Sequence, residues 1–314
     1  MKTINKIMIG LVLATLAIVN VNAQPKSEIP DDNKPKMNWS GADTLFTFQF
    51  NTETNSWLYF QREIRRFDNE NPIENFVQIW ENQKWINYLR VNYSYDENGN
   101  EIEEITQDWD SSTNTWVNAQ LKTSSYNGRQ KEEILFQQWK KPTNEWFNIM
   151  KYLIKYNLEG EKNEIAISLF NGVTKNWDNH KRFLMDFDLP YGPPTTVVAE
   201  SWYSNNWKTD GKYEILYNWR GKKTNEVRYT WNQGKHIWME GIMLEMAYDK
   251  SGNQTEYVEK KFDYANNNWM NFNKFSAAYN EEGNMIEKTE YKWDRITSQW
   301  NLSGQFKFTT DTKI

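Results

Sequence analysis

Trp85-Ile-Asn-Tyr-Leu-Arg-Val-Asn-Tyr-Ser-Tyr95, then Asp96-Glu-Asn-Gly-Asn100, then Glu101-Ile-Glu-Glu-Ile-Thr-Gln-Asp-Trp109 and a second turn before Trp116 read as strand, turn, strand, turn. The apolar residues alternate with period two, the signature of an extended strand and not of a helix. Strict alternation places Trp85, Asn87, Leu89, Val91, Tyr93 and Tyr95 on one face and Ile86, Tyr88, Arg90, Asn92 and Ser94 on the other.

The same unit recurs along the chain. Trp57, Trp85, Trp116, Trp146, Trp177, Trp207, Trp238, Trp269 and Trp300 follow one another at steps of 28 to 31 residues. An aromatic stands ten residues after each of the first eight: Phe67, Tyr95, Tyr126, Tyr156, Phe187, Tyr217, Tyr248 and Tyr279. Ten is even, so alternation alone expects both aromatics on one face. Asp or Asn followed by Gly comes after most of these tyrosines, as in Asp96 to Gly99, Asp249 to Gly252 and Asn280 to Gly283. Glycine supplies positive φ, and the Asx side chain accepts turn N–H groups, which is hairpin chemistry.

Each second strand ends on another aromatic seven residues before the next Trp: Phe50, Trp109, Trp139, Phe170, Trp231, Phe262 and Trp293. At Trp80 and Trp202 the spacing contracts to five. The aromatics flanking this turn are expected to face each other across the strands and to pin the register. An acid recurs in the second strand as Glu74, Glu103, Glu133, Glu164, Glu226, Glu256 and Glu287, and one acid per repeat points to a structural role.

These features predict an all-β antiparallel hairpin-repeat meander of 17 or 18 strands, with about 30 to 31 residues per unit, curled or closed on itself. A propeller of two units per blade is the other closed solution. Residues 41–314 are expected to form a single β-repeat domain. Its irregular segment lies at about 178–206, where Pro190, Pro193 and Pro194 are expected to interrupt or kink the sheet.

Lys2 and Lys6, an apolar run from Ile7 to Val19 and Val21-Asn22-Ala23 read as a signal peptide over residues 1–23, cleaved near Ala23. Residues 24–40, with Pro25, Pro30 and Pro35 among many charges, read as a disordered tether. The expected location is therefore exported: periplasmic, cell-surface or extracellular. No stretch approaches the roughly 20 apolar residues of a transmembrane helix. Loss of Lys2 and Lys6 takes the formal net charge from -5 to -7, which argues against nucleic acid as partner. Cysteine is absent, which excludes disulfides, thiolate metal sites and cysteine nucleophiles. His180 and His236 stand far apart and are expected to be ordinary surface or turn residues.

The Tyr-Asp-x-x-Gly-Asn core at Tyr95 to Asn100 and Tyr248 to Asn253, with its Asn variant at Tyr279 to Asn284, resembles the YD repeats of bacterial RHS-type secreted proteins. That resemblance implies a hairpin strip that spirals into a shell or extracellular scaffold. The aromatic hairpins are also similar to choline- and glucan-binding repeats of bacterial surface proteins.

Function is the least legible property. The expected role is a secreted or surface-associated, non-catalytic repeat scaffold or binding module, with an extracellular glycan or a cell-surface protein as partner and without cofactor or metal. Aromatics in register are core. Ligand candidates are therefore the aromatics outside it: Trp219, Tyr264, Tyr191 and Tyr203. The alternatives are an outer-membrane β-barrel and a carboxylate-based glycosidase using Asp186, Asp188 and Glu200.

Overall fold

The computed structural model describes residues 44–69, 71–188 and 192–309. The expected signal peptide and tether, and Tyr191, lie outside the described residues. Eighteen strands follow in chain order. The first nine are β1 (Thr44–Asn51), β2 (Ser56–Asp68), β3 (Asn71–Glu81), β4 (Lys84–Tyr95), β5 (Glu101–Asp110), β6 (Thr115–Asn127), β7 (Gln130–Lys140), β8 (Glu145–Tyr156) and β9 (Lys162–Phe170). The remainder are β10 (Trp177–Asp186), β11 (Thr196–Tyr203), β12 (Asn206–Tyr217), β13 (Lys223–Asn232), β14 (Ile237–Tyr248), β15 (Gln254–Asp263), β16 (Asn268–Tyr279), β17 (Met285–Asp294) and β18 (Gln299–Thr309).

Each strand pairs antiparallel with its chain neighbours, and β18 pairs antiparallel with β1. The sheet is therefore a closed up-and-down barrel and not a propeller. An even number of strands lets the last run opposite to the first, so the meander closes without leaving an edge. The seam is the shortest interface of the ring, from Phe46↔Thr309 to Gln49↔Phe306. It is sealed by buried Phe46, Thr47, Phe48, Phe306 and Phe308.

One β-bulge per even strand corrects the alternation read from sequence. Gln78 pairs with Asn87, whereas its neighbour Val77 pairs with Leu89, so Tyr88 is extra. The bulge recurs at the same place after Trp116, Trp146, Trp207, Trp238, Trp269 and Trp300. It reverses the phase of alternation between the Trp and the Tyr ten residues on. The two aromatics therefore lie on opposite faces of the wall, and Leu89, Val91, Tyr93 and Tyr95 face away from Trp85.

The wall thus has a tryptophan face and a tyrosine face. Mid-strand apolar residues of the tyrosine face supply most of the buried set: Val77, Leu89, Val91, Met150, Ile154, Phe183, Ile215 and Leu244. The bulges also set the stagger. Arg62 is level with Gln78 and Asn87, Arg90 with Gln107 and Asn118, and Arg182 with Glu200 and Thr209. Each hairpin thus drifts by the same step, and this drift tilts the strands of a closed barrel.

Pro193 and Pro194 do not interrupt the sheet, and Pro190 lies outside the described residues. Pro193 and Pro194 fall in the connection between β10 and β11, and the pairing resumes at Asp186↔Thr196. The contracted aromatic spacings at Trp80 and Trp202 are two-residue hairpin turns, with positive φ at both Asn82 and Gln83 and at both Ser204 and Asn205. Among the described residues no helix is long and apolar enough to cross a membrane, which says nothing of a barrel.

Candidate interaction surface

The two ends of the barrel are built differently. At one end every hairpin closes on an aromatic pair directly across the ladder, including Trp80–Trp85, Trp109–Trp116, Trp139–Trp146 and Phe170–Trp177. Across all nine hairpins the ring centroids stand 5.0 to 5.2 Å apart with interplanar angles of 62 to 78°. This edge-to-face geometry sets the positive edge of one ring against the negative face of the other.

The stagger brings a cation from the preceding even strand onto six of these tryptophans. Lys307 stands over Trp57, Arg62 over Trp85, Arg90 over Trp116, Lys151 over Trp177, Arg182 over Trp207 and Lys212 over Trp238, at 4.8 to 5.3 Å. Arg90 also donates to Gln107, and Gln107 donates in turn to Asn118 at 2.8 Å. The tryptophan ladder is therefore occupied by its own chain, as a framework and not as a binding platform.

At the other end the tyrosines stitch neighbouring hairpins together. The Tyr95 hydroxyl donates to the Pro72 carbonyl, Tyr126 to Glu101, Tyr156 to Lys131, Tyr217 to Pro194, Tyr248 to Lys223 and Tyr279 to Gln254, at 2.7 to 3.0 Å. Burial pushes the Tyr95 and Tyr279 hydroxyls up to about 12, so they remain protonated donors at neutral pH. The turns beyond them are closed by Asx side chains. Asp96 Oδ1 accepts from the Asn98 and Asn100 N–H groups, and Asn218 Oδ1 accepts from Arg220 and Lys222. Hydrogen bonding from Asn100, Asp96's largest influence, holds its carboxyl below the ordinary range. These Asx side chains are thus committed to their own turns, and the described residues hold no group of three or more His, Asp or Glu able to bind a metal.

Four of the repeated glutamates, Glu74, Glu164, Glu226 and Glu256, are ion-paired. Glu74 meets Arg66 at 3.1 Å, Glu164 meets Lys155 at 3.0 Å, and buried Glu226 meets Arg228 at 2.5 Å and Lys223 at 2.9 Å. Among the acids of the glycosidase alternative, Glu200 is held by Arg182 at 2.6 Å, and Asp186 accepts from the Phe187 N–H. His236 occupies a turn, with φ at 52° and its ring against Trp231. His180 differs from the expectation. It is half-buried at the bulge of β10, and desolvation first and then Lys181 lower its pKa, against an opposing effect of Asp210.

The ligand candidates do not converge. Trp219 lies 86% exposed in the β12–β13 turn at the tyrosine end. At the opposite end Tyr203, the last residue of β11, and Tyr264, in the β15–β16 turn, lie exposed. Tyr264 is partly structural, since its hydroxyl donates to the Glu240 carbonyl and its ring packs edge-on against Phe262 at 5.0 Å. Tyr203 carries Lys208 over its ring at 4.7 Å. Trp219 carries Arg220 at 4.5 Å, and Arg220 donates to the Lys250 carbonyl of the next turn. The sequence reading passed over Arg220 although it adjoins Trp219 in Trp219-Arg-Gly-Lys-Lys223. The available signal was its departure from the acid-bearing turns at 96–100, 157–161 and 280–284.

No protein-family model matches the chain. No curated protein matches it. Among solved structures, a DUF3836 family protein from Bacteroides vulgatus is similar at 21% identity over 28% of this chain and 90% of its own, with a TM-score of 0.27. A porin-like protein from Bacteroides uniformis is similar at 7% identity over 85% of this chain and 96% of its own, with a TM-score of 0.39. The TcdB2-TccC3-TEV structure is similar at 15% identity over 83% of this chain and 15% of its own, with a TM-score of 0.36. Likenesses of this degree leave function to be read from the residues of this chain.

Proposed function

We propose that the chain is an exported, non-catalytic β-barrel scaffold whose turns at the two rims bind extracellular glycans through exposed aromatic side chains. One observation carries this reading. The aromatic and charged groups in register along the wall are engaged with one another, while Trp219 and Tyr264 in rim turns and Tyr203 at the rim end of β11 keep most of their surface exposed. A flat aromatic face suits the C–H side of a sugar ring, and rim amides and charges supply partners for its hydroxyl groups. A glycan-array screen of the purified protein should show binding that weakens when Trp219, Tyr203 and Tyr264 are all replaced by Ala. Silence across the array would instead direct the scaffold reading to a protein partner.

The closed, even-stranded sheet favours a second reading, an outer-membrane barrel, because a closed sheet satisfies every backbone group. A lipid belt also needs one complete apolar face. Here Lys122 pairs with Glu104 at 2.5 Å on the tyrosine face, and Arg182 pairs with Glu200 at 2.6 Å on the tryptophan face. Extraction separates the two: a scaffold stays monodisperse in buffer alone, whereas a spanning barrel requires detergent.

A further inference from the structure

We infer that the two adjacent turns 218–222 and 249–253 form a binding site for an acidic saccharide, a sugar carrying carboxylate or sulfate. This deepens the glycan-binding reading and rests on it. The site is a stack of fixed parts. Asn218 closes the first turn on the Arg220 and Lys222 N–H groups, and Gly221 takes a φ of 70°. That geometry presents Trp219 outward with 86% of its surface exposed. Arg220 lies against the ring at 4.5 Å and is tied at the other end to the Lys250 carbonyl. Its guanidinium therefore reaches the site already ordered, which lowers the entropy lost when it grips an anion.

The charge around the ring is of one sign. Arg220, Lys222 and Lys250 are all exposed and come from the two touching turns, with the Lys222 Cε lying 3.7 Å from where a Gly252 Cβ would stand. The nearby acid, Asp249, is spent inside its own turn on the Asn253 N–H at 2.8 Å and the Asn253 side chain at 3.0 Å. Three corresponding turns are acidic, Asp96-Glu-Asn-Gly-Asn100, Asn157-Leu-Glu-Gly-Glu161 and Asn280-Glu-Glu-Gly-Asn284, and the β6–β7 turn carries one cation, Arg129, without an exposed tryptophan beside it. A local cationic spot on a chain of net charge -5 attracts anions to that place and not to the surface at large. A neutral sugar would use the ring and leave three cations without a counter-charge. A sugar acid stacks its C–H face on the open side of Trp219 and sets its anionic group against Arg220, Lys222 and Lys250.

The test is binding of polygalacturonate, dextran sulfate and neutral dextran to the wild type, Trp219→Ala, Arg220→Gln and Lys250→Gln, with Lys175→Gln as an exposed lysine at the opposite rim. Expected is binding of at least one acidic polymer but not of dextran, weakened at least tenfold by Trp219→Ala and by Arg220→Gln and unchanged by Lys175→Gln. Acidic-polymer binding that ignores Trp219→Ala, or that Lys175→Gln reduces equally, would be plain polyelectrolyte attraction and would overturn the inference. Binding of dextran by the wild type as tightly as of the acidic polymers, retained by Arg220→Gln, would overturn the acidic specificity while leaving the glycan reading standing. Absence of binding to all three polymers would overturn the inference, and silence on the glycan array as well would remove the broader reading.

Discussion

Trp116 shows what a single residue does in this wall. It packs edge-on against Trp109, meets Phe76 with centroids 5.7 Å apart, and lies under the Arg90 guanidinium. Trp146 has the Trp139 pair but neither of the other two partners in kind, because Leu121 stands where Arg90 stands one unit earlier. Trp116→Ala should therefore cost about 3 kcal/mol and Trp146→Ala about 2 kcal/mol, at the low end for large truncations because both rings are only half-buried. Urea unfolding checks the order, and equal losses would show that the cation and Phe76 add nothing. Gly283 holds a φ of 82°, so Gly283→Ala should cost roughly 1 to 2 kcal/mol. The tryptophans, turn glycines and Asx residues were legible in the sequence because each acts locally. The basic residue five positions after Trp, at 62, 90, 151, 182, 212 and 274, was also there to be read. Its odd offset from Trp, set against a Tyr at an even one, makes sense only once the bulge is known.

The bulge was hidden for a reason specific to these strands. Both faces mix polar and apolar residues, so moving from one phase of alternation to the other leaves no visible break in Trp85 to Tyr95. The turn contractions at Trp80 and Trp202 were visible as spacing, but their meaning lies in two pairs of consecutive positive-φ residues that no residue type dictates; Asn, Gln and Ser all occupy them. Among the element contacts, the tyrosine stitches are the most exposed to test. Tyr126→Phe removes one hydroxyl donor from the Glu101 carbonyl and should cost about 1 kcal/mol without changing the fold. β10 makes stability pH-dependent through His180, whose native pKa is lowered, so the unfolded state binds its proton more tightly. Its stabilisation is complete above the ordinary histidine range and is lost as pH falls through that range toward the native pKa. The unfolding midpoint should drop over this interval, and His180→Gln should flatten the drop; a profile unchanged by the substitution would sink the assignment.

At the scale of the molecule, closure depends on parity. Deleting 239–269 removes one unit and joins Trp238 to Met270 in the same register, leaving the strand number even. Such a protein should fold as a narrower closed barrel, with a single cooperative transition and no loss of solubility. Truncation before Gln299 removes β18 and leaves an odd number, so β1 and β17 run the same way and the antiparallel seam cannot form. That variant should expose two edges and aggregate. A soluble, monodisperse truncation would show that the seam is dispensable. Closure itself was only half legible, since an open spiral and a closed ring need the same hairpins and differ at one pair of strands. The rim candidates show the corresponding limit for the site. Sequence could mark Trp219, Tyr203 and Tyr264 as out of register, but only the meander's direction decides that Trp219 projects from one end and the other two from the opposite end.

The seam between β1 and β18 gives the chain a built-in order of events. Every other strand pair joins neighbours in sequence and can form as soon as its own hairpin exists, whereas Phe46↔Thr309 waits for nearly the whole polypeptide. A chain emerging from its N-terminus therefore remains an open sheet with a bare β1 edge until its last strand arrives. Maturation ends with one long-range event, and a stalled or nicked chain keeps that edge available for pairing with another copy.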